Sequence, residues 1–175
     1  MKKLLCIYYL LCIATLAYAQ DLRFNANGKF KIVQFTDVHY IFNDSRAEVA
    51  IERINEVLNA ENPNLVMFTG DIIYGKPAEE GIRTVLEQVS KRKIPFAVTF
   101  GNHDDEQGLS REELLKIIQR IPYSLTSTTK GISGTTNFIL PVKSSDGQKN
   151  AEILYVFDSH RSEEHTSELQ SHTSI

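Results

Sequence analysis

The segment IPFAVTFGNHD, Ile94 to Asp104, is an apolar run that stops abruptly at small and polar residues. The same arrangement occurs twice before it, as KIVQFTDVH from Lys31 to His39 and LVMFTGD from Leu65 to Asp71. Short, near-continuously apolar runs read as strands buried on both faces, and such strands belong to parallel sheets. The stretches between them read as crossover helices. Ser45 to Glu61 carries Ala47, Ala50, Ile51, Ile54, Val57 and Leu58 at helical spacing, opens on a Ser45/Glu48 capping box and stops at Asn62-Pro63. Glu79 to Lys91 sets Ile82, Val85, Leu86 and Val89 on one face. A third helix opens at Ser110, with Glu113 completing a capping box and Leu109 and Leu114 spaced as a hydrophobic staple, and it ends near Ile121-Pro122. After a Ser/Thr/Gly-rich loop, Phe138 to Val142 and Ile153 to Phe157 flank Asp146-Gly147 and read as a hairpin. The predicted fold class is α/β.

Composition narrows the function. A chain of 175 residues has room for one domain and excludes a two-domain enzyme. At 42% hydrophobic and 23% charged it can build a core, which excludes a disordered or collagen-like chain. A formal charge of −3 supplies no general affinity for phosphate backbones, so nucleic acid is not indicated as a partner.

Both ends read as lying outside the fold. Lys2 and Lys3, the apolar run Leu4 to Leu16 and Ala17-Tyr18-Ala19 form a signal peptide over residues 1–19, so export is expected, to periplasm or extracellular space after cleavage near Ala19. The other reading, a membrane anchor, needs about 20 apolar residues, more than this run offers. Cys6 and Cys12 both fall in this leader, which leaves no thiol for a disulfide or a sulfur-ligated metal in the mature chain. From Arg161 the sequence has no apolar period, and Arg161 to Ser171 back-translates codon by codon into a common sequencing-library adapter. Residues 161–175 are therefore expected to be a disordered tail foreign to the fold, and 20–160 the domain part.

The polar residues now fall in one place. Asp37 and His39 follow the first strand, Gly70-Asp71 the second, Gly101 to Asp104 the third and Asp158 the last. In a parallel sheet those positions share the carboxyl edge, where ligands bind. Oxygen and nitrogen donors without sulfur suit Mn, Fe, Zn or Mg, and a shared carboxylate can hold two ions about 3.5–4 Å apart, the arrangement that activates phosphoryl groups. Taken singly, Asp37 or Asp71 reads as a turn or capping carboxylate, His103 as an exposed loop histidine and Asp104 as a surface carboxylate.

DVH at 37–39, GDIIY at 70–74 and GNHD at 101–104, in this order and each after a strand, resemble the calcineurin-like metallophosphoesterase superfamily. TFGNHDDE from Thr99 to Glu106, Ser110-Arg111 and LYVFDS from Leu154 to Ser159 are similar to its secreted branch related to purple acid phosphatases. The resemblance covers Lys31 to Ser159. It implies a β-sandwich flanked by helices around two metal ions, Mn, Fe or Zn, and metal-dependent hydrolysis of phosphate esters, monoesters first. Carried over, Asp37 and His39 hold one metal, Asp71 bridges both and Asn102 binds the second. His103 stabilises phosphoryl charge or protonates the leaving oxygen, and Asp104 orients His103.

Two departures bear on this. Purple acid phosphatases proper have glycine where His39 stands and bind iron through the tyrosine of GDxxY; here His39 and Tyr74 are both present, so Tyr74 is expected beside the ligands or in the core. The histidines of the family's later GH and GHxH motifs are absent and His160 matches neither, so the chain reads as the N-terminal half of the domain, with the second sheet incomplete and apolar surface uncovered. On its own it is expected to be inactive or feeble. A non-catalytic secreted fragment with a partial metal site, and a phosphodiesterase or nucleotidase, are the other readings.

Overall fold

The computed structural model describes residues 21–159. The leader, the tail and His160 lie outside them. Within them the order is β1 (Ile32–Phe35), α1 (Glu48–Glu61), β2 (Leu65–Thr69), α2 (Ala78–Ser90), β3 (Phe96–Thr99), a 3-10 turn (Asp104–Gln107), α3 (Arg111–Gln119), β4 (Phe138–Lys143) and β5 (Asn150–Val156).

β1, β2 and β3 form a parallel sheet in that order, with Val33 beside Val66 and Val66 beside Phe96. Side chains alternate across a strand, so this register sorts them into two faces. Val66, Phe68, Phe96 and Val98 join Ile54 and Leu58 of α1, Ile82, Val85, Leu86 and Val89 of α2, and Leu114 and Ile118 of α3 in one core. Leu65, Met67 and Ala97 face the other way and pack on Phe138, Leu140, Val142 and Val156 of the antiparallel β4–β5 hairpin. The layers run helices, parallel sheet, hairpin: an α/β architecture with the beginnings of a second sheet.

β2 is central, with Leu65, Val66 and Phe68 buried and Met67 and Thr69 half-buried, but β1 is not buried on both faces as its composition suggests. It is an edge strand, and Ile32 keeps 41% of its surface exposed. β3 is also terminal in the sheet yet buried, because Tyr123 to Leu125 bonds along Phe96 through Phe96 N–H to Tyr123 O and Leu125 N–H to Phe96 O.

The capping expectations divide. Ser110 caps α3 as its spacing requires, accepting from Glu113 N–H while the Glu113 carboxylate accepts from Ser110 N–H. The Ser45/Glu48 box does not form: α1 begins at Glu48 behind Ala47, with no side-chain cap. The carboxylate that organises this corner is Asp44, which accepts from the Arg46 amide and guanidinium, while Glu48 accepts from the Tyr40 hydroxyl at 3.0 Å. No helix among the described residues is long and apolar enough to cross a membrane.

Candidate metal centre

The loops that leave β1 and β2 run side by side. Asp37 N–H donates to Gly70 O, His39 N–H to Asp71 O and Tyr40 N–H to Ile72 O, at 2.9 to 3.1 Å. Holding this track requires left-handed backbone at Asp37 (φ 53°), His39 (φ 49°) and Asp71 (φ 53°), a conformation side chains rarely adopt and one that concentrates at functional sites.

The loop after β3 closes over them. Gly70 and Gly101 touch through backbone: a Cβ on Gly70 would sit 2.7 Å from Gly101 Cα, and a Cβ on Gly101 would run into the Asp71 carboxylate. Only a residue without a side chain lets the third loop come this near. His103 N–H then donates to Asp71 Oδ1 at 2.9 Å.

The result is a convergent donor set. His39, Asp71 and His103 each offer an atom within 4.8 Å of the other two, and His39 Nε2 lies 3.6 Å from Asp71 Oδ2. Two imidazoles and a carboxylate suit a borderline divalent ion, so these residues fit the metal their pattern implies. Asp71 is nearly buried, His39 exposed and His103 half-buried, so the group opens to solvent on one side. Asp37 is outside this group: it is exposed and accepts from Thr36 Oγ1 at 2.6 Å. Asn102 is exposed on the same loop as His103.

Tyr74 belongs to the rim and not to the core, since 49% of its surface is exposed. Its ring meets those of His39 and His103 edge-on, with centroids 5.3 and 5.1 Å away.

Asp104 does something other than orient His103. It is fully buried, and its oxygens accept from the backbone N–H groups of Asp71, Ile72, Ile73 and Gly101 at 2.8 to 3.3 Å. Burial pushes its carboxyl above the ordinary range, opposed by those four donors. Its work is to tie the second loop to the third. The carboxylate that reaches the imidazole is Glu106, whose Oε2 lies 2.7 Å from His103 Nδ1. The signal for it was the His-x-x-Glu spacing ahead of Gly108, which a 3-10 turn brings onto one side.

Asp158 is also interior and not at the ligand edge. It pairs with Arg111 at 2.9 Å and accepts from the N–H groups of Thr135 and Thr136. Arg111 in turn donates to Gly101 O at 2.7 Å and stands 3.4 Å from Asp105.

The chain belongs to the calcineurin-like phosphoesterase family, whose pattern it matches over residues 30–172. The match continues into the stretch after His160 that the sequence reading sets aside. Among relatives, phosphatase DCR2 of Saccharomyces cerevisiae is 37% identical over 166 residues, 82% of this chain and 29% of that protein. An uncharacterised protein, C1020.05 of Schizosaccharomyces pombe, is 38% identical over 63% of this chain and 25% of its own length. A protein of Arabidopsis thaliana named probable inactive purple acid phosphatase 29 is 29% identical over 84% of this chain and 45% of its own length. The chain thus spans less than half the length of the curated relatives it matches.

Proposed function

We propose that this chain carries the metal-binding N-terminal part of an exported phosphoester hydrolase acting first on phosphomonoesters. The observation that supports the reading is the convergence of His39, Asp71 and His103 where three parallel strands end. In the finer reading Asp37, His39, Asp71 and Asn102 would hold two ions between them. Bound metal would act there as a Lewis acid on the phosphoryl oxygens and supply the nucleophile at neutral pH.

The rest is done by the chain itself. Asp71 is fixed by the His103 amide and by the backbone around Gly101, so its carboxylate is aimed before any ligand arrives. In this reading His103 is not one of the metal's ligands: its ring stands beside Asp71 and His39 and would deliver a proton to the leaving oxygen. Tyr74 packs edge-on against both imidazoles at the rim.

The test is Asp71→Asn. Metal content and hydrolysis of an aryl phosphate are measured on the whole protein; we expect stoichiometric Mn or Zn in the wild type, and at least a ~100-fold loss of turnover in the variant. Unchanged turnover would sink the assignment. Faster turnover of an aryl diester would move the substrate class to diesters. A second reading is favoured by the relatives named inactive: the site binds metal without turning over. Stoichiometric metal with no hydrolysis of either ester would establish it.

A further inference from the structure

His103 and Glu106 face each other across one turn of 3-10 helix, and we propose that Glu106 is the positioning residue of His103. By accepting a hydrogen bond from Nδ1–H it fixes the imidazole's orientation, so that the imidazolium turns Nε2–H toward the leaving phosphoester oxygen and the neutral ring left after proton transfer is the Nδ1–H tautomer. The catalytic consequence rests on the function proposed above; the tautomer does not.

The geometry of the turn makes the contact. In a 3-10 turn residues i and i+3 eclipse, and here His103 precedes the turn while Glu106 lies three residues on, its N–H donating to His103 O at 3.1 Å. The turn is held at both ends. Asp104 anchors its start to the backbone of residues 71–73 and 101, and Gly108, at φ 95°, releases the chain from it.

The chemistry is then constrained. An ionised carboxylate only accepts, so an Oε2–Nδ1 distance of 2.7 Å requires the proton on Nδ1. That distance is at the short end for a charge-assisted bond. Nε2 remains as an acceptor in the neutral ring and a donor in the cation. The His39 and Tyr74 rings, edge-on at 5.8 and 5.1 Å, limit rotation of the imidazole about its own bond. Carboxylates that bond a site histidine from behind commonly contribute 10- to 100-fold to activity, roughly, through orientation alone.

The experiment reads the tautomer directly. Side-chain nitrogen shifts of His103 are recorded by long-range proton–nitrogen correlation in the metal-free chain, in mildly alkaline buffer, for the wild type, Glu106→Ala and Glu106→Gln. We expect a single Nδ1–H form in the wild type and in Glu106→Gln, whose amide oxygen still accepts, and a mixture in Glu106→Ala. Thermal melts confirm that all three are folded. On the whole protein, kcat for an aryl phosphate should fall ~10- to 100-fold in Glu106→Ala with KM unchanged, and return most of the way in Glu106→Gln. A wild-type ring protonated on Nε2, or one whose tautomers are the same in all three chains, overturns the proposal. Absence of hydrolysis with the expected nitrogen shifts would count against the proposed function and leave the positioning role standing.

Discussion

At Asp104 a carboxylate cut off from water is answered by four backbone N–H groups. Hydrogen bonds to a charged group carry about 1.5–3 kcal/mol each, and leaving buried donors without an acceptor costs more than never having placed them there. Asp104→Asn turns an amide NH2 toward N–H donors. We expect it to destabilise the chain by about 3 kcal/mol or more, read as a drop in the denaturation midpoint at constant slope. Gly101→Ala is the steric counterpart. Its methyl group would occupy the position of the Asp71 carboxylate, so we expect a loss of about 2 kcal/mol together with loss of metal affinity, read by calorimetric titration with Mn. At this scale the sequence was legible where one residue type has one use. Glycine at 70 and 101 and the three motifs point to the centre. Nothing local separates Asp104, which holds loops together, from Glu106, which holds an imidazole, because that assignment depends on a turn only four residues long.

Among the elements, α3 is the one whose local signals agree most fully. Its capping box and the burial of Leu114, Leu115, Ile117 and Ile118 are both written in a nine-residue stretch. Ser110→Ala should cost ~1 kcal/mol in thermal stability. The Ser110 amide and hydroxyl hold the Glu113 carboxyl below its usual value. A depressed acid stabilises above its unfolded value and loses that contribution as pH falls through its folded one; Ser110→Ala keeps the amide and loses only the hydroxyl's share, so the gap between wild type and variant should be somewhat larger near neutrality than in acid. Melts at the two pH values check it. α1 shows where the same signature fails: Asp44, one residue before the expected cap, competes for the corner with a guanidinium partner and is held down to about 2. β1 shows the limit of composition. A mostly apolar run such as Ile32–Phe35 reads the same in a central strand and at an edge, and only strand order distinguishes them.

For the molecule as a whole, Arg111 is the tie between distant parts. Its guanidinium reaches Gly101 O, Asp105 and Asp158, joining the loop after β3, the head of α3 and the end of β5. Arg111 and Asp158 are 47 residues apart and share no periodicity, which is why the pair could not be read from the chain. Removing one partner leaves a buried charge. Arg111→Met should therefore cost about 3–5 kcal/mol by urea denaturation, and Arg111→Met with Asp158→Leu less than the two single costs added, since the double change removes both charges but still leaves the Thr135 and Thr136 N–H groups without their acceptor.

That guanidinium also sets an order of events. A ribosome makes Asn102 and His103 well before Asp158, so until the hairpin has emerged and docked, Arg111 lacks its buried carboxylate partner although its bond to Gly101 O and the Asp104 bonds can already hold the His103 loop. The strands that carry the donors can pair early, while Arg111 receives its buried carboxylate only once β5 has been made.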